Sequence, residues 1–304
     1  MKSKIGVIGS INTDIVCQTD IIPVVGETVI GSGFTTLHGG KGANEAVAAA
    51  RLGAKVNLIA CVGDDNFSKH SLKNLKKENV NTSGITELKN TQGGIANIII
   101  SNKNNQIIVI PGANEKLSTE LINKNLAKLL ECNIVGCQFE VPIDSLLLAS
   151  QICKNNNIKF VLNPSPLKEY PQELFDNSTF VIVNEVELSS INGYNPKKPF
   201  DVLKQYPNKL ILTHGAEGCY YSNGKETINI PAIKAKVIDT TGAGDTFLGS
   251  FMFAINNNLP LNNAIRFANI CAGLKTTKLG AQTGMPKLTE VKEYMKKHNI
   301  KFNL

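Results

Sequence analysis

The sequence predicts an α/β protein, a mainly parallel sheet held between helices, and three observations lead there. Short apolar runs alternate with longer segments of helical period along most of the chain, as in repeated βαβ units. The runs are apolar throughout, which fits strands covered on both faces, and sheets buried in that way are the parallel ones. The chain has 304 residues, 42% of them hydrophobic, enough to bury such a sheet.

In chain order, residues 4–9 form the first expected strand, followed by 56–62, 134–137, 159–162, 180–183 and 209–212. Residues 42–52 are rich in Ala and run into Gly53, a natural C-terminal stop for a helix. Helical spacing also covers 142–154 and 261–279. Two stretches break the rhythm. Residues 15–37 and 91–110 are rich in β-branched residues, Gly and Asn, and the second reads as Ile-rich strands around the polar turn Ser101-Asn102-Lys103-Asn104-Asn105. These are expected to form a small sheet projecting from the main one. No linker or composition shift sets them apart, so residues 1–304 are read as one domain with two insertions.

Composition narrows the function. The net charge of +7 comes from dispersed Lys with no basic block interleaved with aromatics, which argues against nucleic-acid binding and fits a solvated surface. The seven Cys lie mostly inside apolar runs with no Cys-x-x-Cys pair, as expected of reduced core residues in a cytoplasmic protein. No apolar run approaches the length of a membrane span, and residues 5–8 are too short for a signal-peptide core, so neither targeting nor anchoring is expected. None of the four His has a second His or Cys at zinc-ligand spacing.

The most informative segment is Asp239-Thr240-Thr241-Gly242-Ala243-Gly244-Asp245-Thr246-Phe247, which follows the strand-like Lys236-Val237-Ile238 and runs into a helical segment, 249–256. Small residues at a helix start leave backbone N–H groups open to a phosphate, and the helix dipole favours its charge. Asp245 would then stand beside a transferring phosphoryl group, placed to take the proton of an attacking hydroxyl. The alternative reading is an ordinary helix start with Asp as a charge in its first turn.

Three further segments offer ligand contacts. His38-Gly39-Gly40-Lys41-Gly42-Ala43-Asn44 is not a Walker A loop, because Thr35 stands where its opening Gly belongs and Gly42 where its Ser/Thr belongs. It can close backbone on a polyhydroxylated ligand with Lys41 and Asn44 as donors, or serve as a structural turn. Gly9-Ser10-Ile11-Asn12-Thr13-Asp14 ends the first strand, where open α/β sheets bind ligands, and it lacks the G-x-G-x-x-G of a dinucleotide enzyme. Asn12 and Asp14 would share a face if the strand continued, or form an Asx turn. Asn184 and Glu187, spaced by three, could hold waters of an ATP-bound Mg²⁺, or simply start a helix. Residues 213–218 read as a turn between strands that passes under a nucleotide or merely closes a hairpin.

In this order the segments resemble the ribokinase-like (PfkB) carbohydrate and nucleoside kinases over nearly the whole chain. The resemblance rests on residues 9–14 and 39–44, Pro111-Gly112-Ala113-Asn114, Asn163-Pro164-Ser165-Pro166, Asn184-Glu185-Val186-Glu187 and residues 239–247. It implies a ribokinase-like three-layer sandwich with about eight or nine central strands and a small β lid over the sugar, which also carries a homodimer contact. It implies transfer of the ATP γ-phosphate to the 5-hydroxyl of D-ribose, with Asp245 as base and the N–H groups of Gly242, Ala243 and Gly244 as the anion hole. Asn12, Thr13, Asp14, Gly40, Lys41, Gly42, Asn44 and Glu140 would hold the sugar. Asn184, Thr213, Gly215, Gly218, Gly244 and Asn269 would line the ATP site, with Glu187 organising Mg²⁺. A K⁺ activator is implied at Asp239, Thr241, Lys275, Lys278, Gly280 and Gly284, largely through backbone carbonyls. Lys275 and Lys278 match by register only, and Gly284 replaces a Ser that contributes an oxygen in relatives.

Three other functions compete. A sister kinase would act on deoxyribose, fructose or a nucleoside, but the first 45 residues offer only Phe34 for stacking a base. A sugar sensor on the same scaffold has no use for Asp245. A nicotinamide dehydrogenase lacks its fingerprint.

Overall fold

A computed structural model describes residues 4–101 and 104–302 of the chain. In chain order its strands are β1 (Lys4–Ile8), β2 (Asn12–Gln18), β3 (Gly33–Gly39), β4 (Lys55–Gly63), β5 (Val80–Leu88), β6 (Gly94–Ser101) and β7 (Asn104–Ile110). There follow β8 (Cys132–Gln138), β9 (Lys159–Asn163), β10 (Phe180–Val183), β11 (Leu210–Thr213), β12 (Cys219–Ser222) and β13 (Thr227–Ile230). Nine of them form the main sheet in the order β13-β12-β11-β10-β9-β8-β1-β4-β5. It is parallel from β11 to β5, and only the β11–β12 and β12–β13 pairs are antiparallel.

The strand period puts alternate side chains into two separate cores. On β4, Val56, Leu58, Ala60 and Val62 join one apolar cluster with the helices Lys41–Arg51, Ala243–Asn256 and Leu261–Thr276. Ile59 and Cys61, pointing the other way, join a second cluster with residues of the Ile143–Asn155 helix. Helices therefore cover both faces, giving three layers. All six strands expected from the sequence are present, as are the first three expected helices at 41–51, 143–155 and 261–276.

The small sheet has the order β3-β2-β6-β7, with β2 and β6 parallel at its centre. It occupies the two expected insertions and extends inward to Asn12 and Gly39, so its inner ends reach the main sheet. Asp65, which caps the Asn66–Lys77 helix through Ser68 N at 3.0 Å, also accepts Gly93 N at 2.6 Å and so fixes the start of β6. Residues 102 and 103 of the expected polar turn lie outside the described residues.

Three local expectations are corrected. Residues 236–238 form no strand; Val237 is 60% and Ile238 56% exposed, so their β-branched side chains have no sheet to pack on. The backbone N–H groups of Ile238 and Asp239 instead donate to Thr276 O at 2.8 and 3.1 Å. The last long helix stops at Thr276 rather than 279, turning away toward Gly280 at φ 75°. The helix carrying Asp245 starts at Ala243, well before residue 249.

Candidate active site

The site forms where β1, the start of β2 and two helix N-termini converge. On β2, Asn12 and Asp14 share one face and are buried. Glycines opposite them make the room: a Cβ on Gly39 would lie 2.2 Å from the Asp14 carboxylate, and one on Gly94 would lie 2.1 Å from Asn12 Oδ1. Asn114 holds the turn between β1 and β2, accepting Ile11 N at 2.9 Å and donating to Asn12 Oδ1 at 2.8 Å. Thr13 faces the other way, with its hydroxyl 3.4 Å from Ser71 Oγ, in a separate cavity with His38 and His70. Strand alternation thus removes Thr13 from the expected sugar contacts.

The Lys41–Arg51 helix begins at Gly40, whose φ of 89° suits glycine. No side chain caps it locally. The Glu140 carboxylate does so from across the site, accepting Lys41 N at 3.1 Å and the Ser10 hydroxyl. Gly42 lies against Gly9, where a Cβ would approach within 2.6 Å, so its part in the site is close packing.

Asn44, one turn on, donates from Nδ2 to Asp245 Oδ2 at 2.7 Å. Its Oδ1 accepts Gln282 Nε2 at 3.0 Å, which fixes the amide orientation and leaves Asp245 Oδ1 for another donor. Burial pulls the Lys41 ammonium down, but the carboxylates of Asp245, Glu140, Glu187 and Glu45 outweigh it and leave it raised. Asp14 is pushed up to about 7 by burial first and by Glu140 and Asp245 second. Beneath them Glu45, fully buried against Gln138, is driven well above the usual carboxylate range by burial and by Asp245.

Gly242, left-handed at φ 75°, starts the Ala243–Asn256 helix without a side-chain cap. Ala243 N donates to Thr240 O at 3.0 Å, which corrects its expected place in the anion hole. Among the described residues, the N–H groups of Gly242, Gly244 and Asp245 have no acceptor, and a Cβ on Gly244 would meet nothing within 4 Å. The positive helix end is therefore open to an anion. A cleft of about 230 Å³ runs from Lys41, Gly242, Gly244 and Asp245 to Asn163, Asn184, Glu187 and Thr213. Lys41 and Asp245, from the sugar side, thus share one space with the nucleotide-side residues.

At its far end Asn184 and Glu187 bond reciprocally: Glu187 N donates to Asn184 Oδ1 at 2.8 Å, and Asn184 N and Nδ2 donate to the two Glu187 oxygens at 3.0 Å each. Asn163 Nδ2 adds a bond to Glu187 Oε2 at 3.1 Å. Oε2 thus takes two donors and Oε1 one, so Oε1 keeps a lone pair that could accept a water of a hydrated Mg²⁺ carried by nucleotide phosphates. Thr213 turns its hydroxyl to Val183 O at 3.1 Å. Gly215 and Gly218 frame the short turn into β12, and Gly218 passes so near Ile230 O that a Cβ would lie 2.2 Å away. Asn269 stands apart: its amide donates to Ile230 O at 2.8 Å and Pro231 O at 3.3 Å and accepts the Cys219 thiol at 2.9 Å. It pins the end of β13 and lines no part of the cleft.

The six expected cation positions gather around Asp239, but the set does not fit K⁺. Asp239 Oδ1 accepts Thr241 N at 2.9 Å and Oδ2 accepts Gly280 N at 2.7 Å. The Asp239 carbonyl, expected to bind a cation, already takes the Lys275 ammonium at 2.7 Å. The Lys278 side chain pairs with Glu290, while its carbonyl converges with that of Lys275 beside Gly284. Residues overlooked in the sequence include Asn163, Asn114 and Gln282. The first two stand in segments already singled out, whereas no local signal marks Gln282, which reaches Asn44 from 238 positions along the chain.

Comparison with known proteins adds to this geometry. Residues 2–288 match the profile of the pfkB family carbohydrate kinases. The chain is 41% identical to the ribokinase of Lactococcus lactis over 98% of its own length and 99% of that protein. It is 38% identical to the ribokinase of Bacillus subtilis, covering 96% and 99% of the two chains. The structure of Arabidopsis thaliana ribokinase complexed with ribose and ATP superposes with a TM-score of 0.89 at 28% identity, covering 97% of this chain and 99% of that one.

Proposed function

The chain belongs to the pfkB family of carbohydrate kinases, and from that premise we propose that it transfers the γ-phosphoryl group of ATP to the 5-hydroxyl of D-ribose. The single observation that carries this reading is the shared cleft. Asp245, oriented by Asn44, stands at an open helix N-terminus in the cleft that Lys41 shares with the Asn184–Glu187 pair. The ribokinase relatives at 41% and 38% identity point to ribose as the sugar.

The sugar lies over β2, with Asn12, Asp14, Lys41, Asn44 and Glu140 supplying donors and acceptors to its hydroxyls. Asp245 Oδ1 takes the proton of the attacking hydroxyl, general-base help typically worth about 10²–10⁴-fold. The free N–H groups of Gly242, Gly244 and Asp245 receive the charge that spreads over the phosphoryl oxygens, and Lys41 adds a positive charge on the sugar side. ATP extends toward Asn184, Thr213 and the Gly215–Gly218 turn. Glu187 with Asn184 would hold waters of a Mg²⁺ ion arriving with the nucleotide, which would supply neutralisation of phosphate charge. K⁺ is left out of this set because Lys275 already places an ammonium on the Asp239 carbonyl.

We also read residues 1–304 as one domain whose small sheet covers the sugar and pairs two copies of the chain. Support comes from β7, where Ile107, Ile108, Val109 and Ile110 are 46–60% exposed. Light scattering giving a monomer mass would remove that pairing. All seven cysteines are free and six are buried, which supports a reducing, cytoplasmic setting. Among the described residues no helix is long and apolar enough to cross a membrane.

Coupled ADP detection with D-ribose, 2-deoxyribose, fructose and a nucleoside tests the substrate. D-Ribose should give the highest kcat/KM, and a higher value for any other acceptor would reassign it.

A further inference from the structure

Lys275 is 0% exposed, yet phosphoryl transfer as described makes no use of it. A buried ammonium persists only where oxygen partners replace its water. Among the described residues they belong to Asp239: Nζ donates to Asp239 O at 2.7 Å and lies 3.7 Å from Asp239 Oδ2. Asp239 in turn holds two loops together. Its carboxylate accepts Thr241 N on the way to the anion hole and Gly280 N on the loop after the Leu261–Thr276 helix.

The space for the lysine stem is built in. A Cβ on Gly284 would lie 3.1 Å from Lys275 Cε, 3.2 Å from Lys275 O and 3.3 Å from Lys278 O. Any larger residue at 284 would crowd the stem, so the bare glycine and the long side chain at 275 complement one another. The carbonyls that converge there are the ones the family resemblance assigns to a monovalent metal ion. An ion bound at Asp239 O would sit about 4 Å from the ammonium, and like-charge repulsion at that range weakens binding by about 10²–10³-fold.

We infer that the Lys275 ammonium is a built-in monovalent cation, which organises the loop before the anion hole and lets the kinase turn over without K⁺. Lys275 is a positioning residue; it acts through Asp239 and the backbone of Thr241 and Gly242. The inference rests on the phosphotransfer reading above, and its test separates the two.

ADP formation is measured with tetramethylammonium as the sole monovalent cation, then with K⁺ at a matched ionic strength of about 0.1 M. The wild-type rate should change by less than about twofold, and K⁺ should leave its thermal midpoint unmoved. Lys275→Ala should lose at least about tenfold in kcat without K⁺ and recover most of it, with a raised midpoint, when K⁺ is added. A merely structural lysine would not be rescued in that way. Saturable K⁺ activation of the wild type beyond twofold would overturn the inference, and that result stands even if the variant does not fold. A variant that is fully active without K⁺, or folded but unrescued by it, would overturn it as well. If the phosphotransfer reading itself were at fault, no ADP would form with any cation, while the melting curves would still report K⁺ binding.

Discussion

Replacing Asp14 by Asn removes a buried carboxyl that the folded site holds at about 7, against 3.8 for an unperturbed aspartate. That gap corresponds to about 4 kcal/mol, at about 1.4 kcal/mol for each factor of ten. The sign follows from proton counts. Between 3.8 and about 7 the folded chain keeps a proton on Asp14 that the unfolded chain has released, so stability falls as pH rises through this window. The contribution is fully present below the unfolded value and lost above the folded one. An amide of the same shape does not titrate and carries no such penalty. Asp14→Asn should therefore gain on the wild type as pH rises, by about 2–4 kcal/mol between the acid and alkaline ends, once relaxation around the variant is allowed for. Urea unfolding of both proteins at a series of pH values from about 4 to 8 measures this, because the midpoint shifts while the slope is unchanged. Parallel pH profiles would refute the reasoning: Asp14 would then be solvated or paired, not stranded among Glu140 and Asp245. The variant should also bind D-ribose more weakly, since an amide offers one acceptor oxygen where the carboxylate offers two.

Two other substitutions probe the support around the site. Gln282→Ala frees the Asn44 amide that orients Asp245, and should lower kcat by about tenfold with KM for ribose changed less than threefold, as read from steady-state kinetics. An unchanged kcat would show that Asn44 holds its orientation alone. Phe251→Ala removes a ring that is 0% exposed and packs edge-on against Phe180 at 5.1 Å between centroids. It should cost about 3–5 kcal/mol in chemical denaturation, and a loss below 1 kcal/mol would contradict the tight packing seen there.

The parallel sheet was legible because its central strands are apolar on both faces, as β4 is from Val56 to Val62. β5 was harder to see. Only Val80 and Gly84 are buried along its length, so an edge strand of Asn, Thr and Ser reads like a loop. Residues 236–238 misled in the opposite direction, since β-branched character without burial is no strand. Asp245, Lys41 and Asn44 were legible as chemistry placed at helix starts, and the structure brings Asp245 and Asn44 into contact. The finer assignments depended on where each donor spends its hydrogen bond. Ala243 N turns back to Thr240 in its own segment, while the Thr13 hydroxyl lies near Ser71 and the Asn269 amide goes to Ile230, partners distant in sequence. Lys275 shows the same limit, because its register suggested a carbonyl ligand while its side chain fills the space.

The central claim, that Asp245 is the base for phosphoryl transfer to ribose, is tested most directly by comparing the wild type with Asp245→Asn in two assays on the same preparations. The account predicts that ADP formation with D-ribose falls by at least about 10²-fold, while ribose binding followed by calorimetry stays within a few-fold. An Asp245→Asn enzyme that phosphorylates ribose at the wild-type rate would contradict it.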